Sequence, residues 1–492
     1  LSHARILPVK ILFAVSEVHP LIKTGGLADV AGTLPAALQV LGHNVHLVLP
    51  AYPPAIARCG HGSVITASKG FSTYPRILEG RLPDTDIPCY LVDSPAHFNR
   101  PGGPYLDLQG HDWPDNAARF TTFCRSVVDL ALNRAHVGWQ PEVVHCHDWH
   151  TGLIPALLSR EPKRPASIFT IHNLAYQGLF SWKVFQSLNL PPDLWHANAM
   201  EFYGQFAFIK GGLVFSDWIT TVSPTYACEI CTPEYGYGLD GLLRSRVDRL
   251  VGILNGVDYG VWDPACDPHI VANYSVENLS RKSENTRALR RELGLPMQDG
   301  LPLIGQIGRM EEQKGIDLIL EVLPELLCAP LQLVMIGTGI KYFEEALRAA
   351  AANHPDRLAV HIGFNEALSH RIEAAADMFL MPSRFEPCGL NQIYSLRYGT
   401  VPLVRRTGGL ADTVVDATQE NLANETATGF SFDPPTAEAL VATVRRALAL
   451  YRTSPERWRK LMVTGMTQNF SWQRSVIHYE ALYRRAIAAA QT

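Results

Sequence analysis

The chain has 492 residues, 47% of them hydrophobic and 18% charged, with a formal net charge of −4. That length exceeds one hydrophobic core, so two large domains are expected. The slight negative charge argues against nucleic acid or an anionic membrane as the main partner, and no apolar run approaches the ~18 residues needed to span a bilayer.

Residues 1–10 carry basic side chains, but the apolar run after them stops at Val15 with no small-residue cleavage pattern, so no signal peptide is read. Nine scattered cysteines fit reduced thiols in a cytoplasm better than a disulfide framework. Val9–Val15 reads as a strand, followed by Lys23-Thr24-Gly25-Gly26-Leu27-Ala28-Asp29-Val30, a helix to about Leu41 and a strand at Asn44–Leu49. This is a β-loop-α-β opening of the dinucleotide-fold type, but the loop is not G-x-G-x-x-G, so neither NAD nor FAD is indicated. Gly25 and Gly26 allow close approach of a ligand to the backbone, and Lys23 adds a point charge.

Residues 51–115 are rich in Pro and Gly and read as a hairpin with an insertion. Asp84-Thr85-Asp86 has the spacing of a metal-binding D-x-D, yet it stands between Pro83 and Pro88 with no buried strand before it, so a turn is expected. A strand at Glu142–His145 runs into His145-Cys146-His147-Asp148-Trp149-His150, and a second at Ser167–Ile171 runs into His172-Asn173-Leu174-Ala175-Tyr176-Gln177-Gly178. Zinc-ligand spacing is missing, so the histidines read as polar strand-end loops. Asp148 and Trp149 suit a sugar through hydroxyl bonding and stacking, and His172 is expected in the same cleft. Cys228 and Cys231 have C-x-x-C spacing without a second pair and read as ordinary thiols. A strand at Asp217–Val222 and a turn at Ile253–Asp258, containing Asn255, close the first domain. A Pro- and Asn-rich crossing with a helix near Glu284–Leu293 follows.

The second domain opens with a strand at Leu303–Ile307 and Gly308-Arg309-Met310-Glu311-Glu312-Gln313-Lys314-Gly315, before a helix at Ile316–Leu327. Arg309 and Lys314 leave a strand end five residues apart and can clamp a diphosphate. Leu331–Ile336, Leu358–Ile362, Met378–Met381 and Val401–Val404 complete a second parallel sheet. After Met381, Ser383-Arg384-Phe385-Glu386-Pro387-Cys388-Gly389-Leu390-Asn391-Gln392 forms a strand–turn–helix junction. Its helix, read from Gly389 to Tyr398, offers backbone N–H groups to an anion, and Glu386 at the rim faces whatever the anion carries. Phosphate on the N–H groups and sugar hydroxyls on the carboxylate satisfy both. Arg406-Thr407-Gly408-Gly409-Leu410-Ala411-Asp412 repeats the pattern of 23–29, as two doubly wound domains facing across a cleft require. An amphipathic helix at Trp472–Ala490 is expected to cross back onto the first domain.

On Lys23–Leu27, His145–His150, His172–Gly178, Gly308–Gly315, Glu386–Gln392 and Arg406–Asp412, the chain resembles the bacterial glycogen synthases, kin of the plant starch synthases, over almost its whole length. The resemblance implies the two-domain GT-B fold, with residues 1–256 as the acceptor-side domain, 257–470 as the nucleotide-sugar domain and 471–492 returning to the first. It implies retaining transfer of glucose from ADP-glucose to the non-reducing 4-hydroxyl of an α-1,4-glucan, without a divalent metal or other cofactor. By the same resemblance, Arg309 and Lys314 hold the pyrophosphate with the N–H groups of Gly389–Asn391, and Glu386 binds glucose hydroxyls or stabilises an oxocarbenium-like transition state. His172 and Asp148 line the donor sugar, and Lys23, with Gly25 and Gly26, closes over the diphosphate from the opposite domain. Asn255, Gln313, Cys388 and Leu390 are further expected donor contacts. Tyr394 stands where a second Glu follows the first in the wider superfamily, and Phe364 stands where a tyrosine stacking on adenine is expected. Two rivals remain at this level: a glucan-binding protein on a retired scaffold, and a transferase using UDP-glucose.

Overall fold

Runs of apolar residues buried on consecutive positions mark strands covered on both faces, which is the condition for a parallel sheet wrapped by helices. The computed structural model describes residues 7–490 except 60–62, 67–74 and 299, with 63–66 described for the backbone. The chain separates into two units, residues 1–256 with 472–492, and residues 257–471.

In the first unit the strands are β1 (Lys10–Ala14), β2 (Asn44–Pro50), β3 (Ser63–Thr66), β4 (Arg76–Arg81), β5 (Pro88–Asp93), β6 (Val143–His147), β7 (Ala166–Ile171), β8 (Leu179–Ser181), β9 (Glu201–Phe202), β10 (Gln205–Ala207), β11 (Trp218–Thr221) and β12 (Leu250–Gly252). Nine of them form one sheet in the order β12-β11-β7-β6-β1-β2-β5-β4-β3. The pairings from β12 to β5 are parallel, while β5–β4 and β4–β3 are antiparallel, which is the hairpin expected in 51–115. Strand order reverses at β1, with β2 on one side and β6 on the other, so the crevice outside the carboxyl ends of β1 and β6 is the switch point where such sheets bind ligands. Strands β8, β9 and β10 make a separate three-stranded antiparallel sheet that periodicity did not reveal, because each strand is only two or three residues long.

The helix Trp472–Ala490 belongs to this unit and buries Tyr479, Tyr483 and Leu482 in its core. Tyr483 bonds through its hydroxyl to His145 Nδ1 at 2.9 Å. Gly256 is required at the point of return, since a Cβ there would lie 2.6 Å from Trp472 Cα.

The second unit holds β13 (Leu303–Ile307), β14 (Gln332–Gly337), β15 (Leu358–Ile362), β16 (Met378–Met381), β17 (Val401–Arg405) and β18 (Phe430–Phe432). They form an all-parallel sheet in the order β15-β14-β13-β16-β17-β18. Here the order reverses between β13 and β16, which puts the loops after both strands at the switch point. Within this unit Val257 N–H donates to Phe470 O at 2.9 Å. Trp262 is sandwiched between Tyr394 and His370, with ring centroids 4.0 and 3.7 Å away. Tyr394 therefore spends its ring on packing.

Candidate active site

The switch point of the second unit is built by three loops that interlock through backbone. After β13, Gly308–Gly315 turns through a 3-10 segment, Glu312–Lys314, into the helix Ile316–Cys328. Gly315 has φ 70°, and a Cβ on it would fall 2.2 Å from Pro382 O. The two strand-end loops can touch there only through glycine. Arg384 N–H donates to Gln313 O at 2.8 Å, and Asn391 Nδ2 donates to Ile307 O at 2.8 Å. The third loop, Thr407–Gly409, follows β17. A Cβ at Gly408 would lie 2.0 Å from Glu386 O, and one at Gly409 2.0 Å from Cys388 O.

This interlock brings Lys314 to Glu386, Nζ to Oε2 at 2.6 Å, with Ser383 Oγ donating to the same oxygen at 3.1 Å. Glu386 is 5% exposed. Arg309 reaches Glu311 at 2.8 Å and Gln313 Oε1 at 3.1 Å, while Gln313 Nε2 donates to Phe385 O at 3.4 Å. The helix runs Asn391–Arg397, shorter at both ends than the Gly389–Tyr398 reading. Two turns carry little macrodipole, so the helix-terminus contribution expected for an anion is weaker than the longer reading implies. Gly389 has φ 70° and Leu390 caps the helix; Cys388 is buried. Phe364 lies just beyond the end of β15 and is 74% exposed, so it is not a core residue.

The first unit gathers its own cluster at the ends of β1, β6 and β7. Asp148, at φ 58°, turns its carboxylate so that Oδ1 accepts from His172 N–H at 2.7 Å and Asn173 N–H at 3.4 Å. His147 Nδ1 and His172 Nε2 are 2.9 Å apart, and His145 bonds to Thr170 Oγ1 at 2.6 Å and to Tyr483. The histidines thus bond to one another and to hydroxyls, and among the described residues no group of three or more His, Cys, Asp or Glu side chains converges as metal ligands do. Burial pushes His172 and His145 down to about 3, so both are neutral donors and acceptors. Burial also raises Asp148 to about 7, partly offset by the two N–H bonds. Asp84-Thr85-Asp86 is a turn, Asp84 at φ 59° and Thr85 N–H on Leu82 O at 3.2 Å.

Lys23 pairs with Asp29 at 2.6 Å, just before the helix Gly26–Val40. Neither Gly25 nor Gly26 is crowded: a Cβ on Gly25 would meet only Glu17 Oε1 at 4.0 Å, and one on Gly26 nothing within 4 Å. Asn255 is buried, and its Oδ1 has no hydrogen-bond partner among the described residues.

Two residues change the picture drawn from the sequence. Trp149 is half-buried, its indole packed against Phe120, Phe180, Phe208 and His150. Gly178 lies so close that a Cβ there would fall 2.2 Å from the indole Cε3. Glu17 was missed. It is 3% exposed at the end of β1, and its Oε2 accepts from Thr24 N–H and, at 3.4 Å, from Gly25 N–H. Burial raises it to about 7 against those bonds, with a further push from Asp148. Its place directly after the central strand of a doubly wound sheet was the available signal.

Paired Rossmann-like sheets, each with a polar cluster at its switch point, define a glycosyltransferase of the GT-B class. Residues 10–245 match the family of the starch synthase catalytic domain, and residues 288–461 match the glycosyl transferases group 1. The chain belongs to the glycogen synthase family. It is 56% identical to glycogen synthase 1 of Methylococcus capsulatus, covering 98% of this chain and 97% of that one. Glycogen synthase 2 of Nitrosococcus oceani is 55% identical, covering 97% of this chain and 98% of that one. The catalytic domain of starch synthase IV from Arabidopsis thaliana, solved bound to ADP and acarbose, superposes with a TM-score of 0.87 at 31% identity, covering 98% of this chain and 100% of that chain.

Proposed function

We propose that this protein elongates α-1,4-glucan by transferring glucose from ADP-glucose to the non-reducing-end 4-hydroxyl, with retention at the anomeric carbon. The observation that carries the reading is the cluster of Lys314, Glu386, Arg309 and the Gly389–Asn391 backbone at the second switch point. As the glycosidic bond breaks, negative charge grows on the diphosphate, so fixed cations and N–H groups contribute most in the transition state. In this reading Lys314 bridges the diphosphate and Glu386, and Glu386 meets the sugar on which positive charge develops. The acceptor hydroxyl attacks from the leaving-group face and gives its proton to the departing phosphate. Asp148 and His172 line the sugar, Lys23 adds a cation, and Phe364 stacks on the base. Arg309 and Lys314 neutralise the charge that a divalent metal neutralises elsewhere, so no metal or other cofactor is needed. A cytoplasmic setting, with the thiols reduced at rest, belongs to the same reading.

The test is release of ADP with a glycogen primer, run with ADP-glucose and UDP-glucose, with and without chelator. Chain extension with ADP-glucose in chelator is expected. Preference for UDP-glucose would overturn the donor assignment, and glycogen binding without turnover on any nucleotide sugar would favour a binding protein.

A further inference from the structure

Away from the strand-end clusters, two thiols meet where the first sheet carries its antiparallel edge. Cys89 in β5 lies directly opposite Gly80 in β4, so their Cβ positions share one face of the sheet, about 4.5–5.5 Å apart. Cys59, just past the helix Pro53–Arg58, packs onto that spot: a Cβ on Gly80 would lie 2.9 Å from Cys59 Cβ and 3.0 Å from its carbonyl oxygen. The missing side chain at position 80 is what lets Cys59 reach Cys89. Both are free thiols, with Cys89 buried and Cys59 half-buried. The neighbouring Cys89 side chain holds the Cys59 thiol below its ordinary value, while Cys59 and burial push Cys89 well above it. A half-buried thiol beside a fully buried partner is the arrangement of an attacking and a resolving cysteine.

We propose that Cys59 and Cys89 are a modification site for low-molecular-weight disulfides such as oxidised glutathione, closing reversibly into an intramolecular disulfide that changes how the Lys23 loop is held. The Cys59 thiolate attacks one sulfur of oxidised glutathione, whose S–S bond breaks to release one glutathione as thiol after protonation. Cys89 then loses its proton to water and attacks the Cys59 sulfur of the mixed disulfide, releasing the second glutathione. Two protein thiols are oxidised to one disulfide, and one disulfide is reduced to two thiols.

The link to the loop runs through Arg58, the neighbour of Cys59. Its Nη1 donates to the carbonyl oxygens of Pro20 and, at 3.2 Å, Leu21, two residues before Lys23. A disulfide requires sulfurs about 2.05 Å apart, closer than two free thiols stand. Closing it draws the end of the helix Pro53–Arg58 toward β5, and Arg58 moves with it. This second half of the proposal rests on the assignment of Lys23 to the donor; the disulfide itself does not.

The full chain is incubated with oxidised glutathione, its remaining thiols are alkylated, and its peptides are mapped by mass. The expected product joins Cys59 to Cys89 with no glutathione retained on either. Cys89→Ser is expected to trap glutathione on Cys59, and Cys59→Ser to leave Cys89 unmodified. Recovery of both residues as alkylated thiols, or glutathione on Cys89 in the Cys59→Ser variant, would overturn the site. In the same samples, oxidation is expected to raise KM for ADP-glucose several-fold, reversibly with dithiothreitol and not in Cys59→Ser. A joined pair with unchanged KM would overturn the coupling. A chain inactive in both states would count against the transferase reading, and the mass map would still decide the thiol pair.

Discussion

Lys314 Nζ stands 2.6 Å from Glu386 Oε2, an oxygen that also accepts from Ser383 Oγ. Lys314 comes from the loop after β13 and Glu386 from the loop after β16, so the pair spans the point where strand order reverses. Lys314→Ala is expected to lower kcat by roughly 30- to 1,000-fold, about 2–4 kcal/mol, because its partner charge peaks in the transition state. It is also expected to lower Tm, since a buried carboxylate loses its counter-ion. Arg309→Ala is expected to show a similar kinetic loss with little change in Tm, because Arg309 and its partner Glu311 are both partly exposed. Initial rates and calorimetry on both variants check this, and normal turnover in both would remove the clamp from the mechanism.

The two Gly-Gly loops are alike in sequence and different in use. Gly408 and Gly409 press against the backbone of Glu386 and Cys388, while Gly25 and Gly26 have room for a methyl group. Gly408→Ala and Gly409→Ala are expected to destabilise the second unit by about 3 kcal/mol or more. Gly25→Ala and Gly26→Ala are expected to stay within about 1 kcal/mol in stability and to raise KM for the donor. Chemical denaturation beside donor titration separates the two pairs, and equal destabilisation of all four would contradict the geometry.

Phe364 is 74% exposed, so its removal should leave the fold alone. Phe364→Ala is expected to weaken ADP binding by about 1–3 kcal/mol, a stacking-sized loss. Tm should be unchanged, and Phe364→Tyr should change affinity little. Maximal rate should fall less than affinity, because the base is remote from the breaking bond. Unchanged ADP affinity in the Ala variant would end the stacking role.

Glu17 titrates near 4.5 when unfolded and near 7 in the folded unit. Between those values the folded chain binds the extra proton, so the stability this group adds is full below 4.5 and is lost as pH rises through 7. Glu17→Gln abolishes the titration. The variant should therefore lose less stability than the parent between pH 5 and pH 8, by at most about 3 kcal/mol. Some slope should persist, because Asp148 is raised for the same reason. Parallel pH profiles of the two proteins would refute the assignment.

Much of the frame was legible because buried parallel strands announce themselves as uninterrupted apolar runs. Leu303–Ile307, Leu358–Ile362 and Met378–Met381 fall at the residues read from the sequence, as does the helix Trp472–Ala490. Arg309, Lys314 and Glu386 could be placed together because each follows such a strand, and strand ends converge in a doubly wound sheet. Trp149 could not be judged this way. An aromatic beside an acid looks the same whether it stands open or half-buried, and the packing comes from Phe120, Phe180 and Phe208, far away in sequence. Glu17 stayed hidden because burial of a carboxylate depends on what folds over it. The difference between the two Gly-Gly loops is likewise a matter of which backbone lies opposite.

The helix Trp472–Ala490 follows the whole second unit in the chain but belongs to the first, where Tyr483 bonds to His145 and Tyr479 packs beside it. During synthesis, the nine-stranded sheet leaves the ribosome long before this helix does, and the second unit has to be translated in between. Domains generally fold as they emerge, but this one carries an uncovered apolar face throughout that interval. A stop codon anywhere between 257 and 471 would leave the first unit unfinished, however well its strands had paired. The core of the first unit is thus exposed to chaperones and proteases for as long as the second unit takes to be translated.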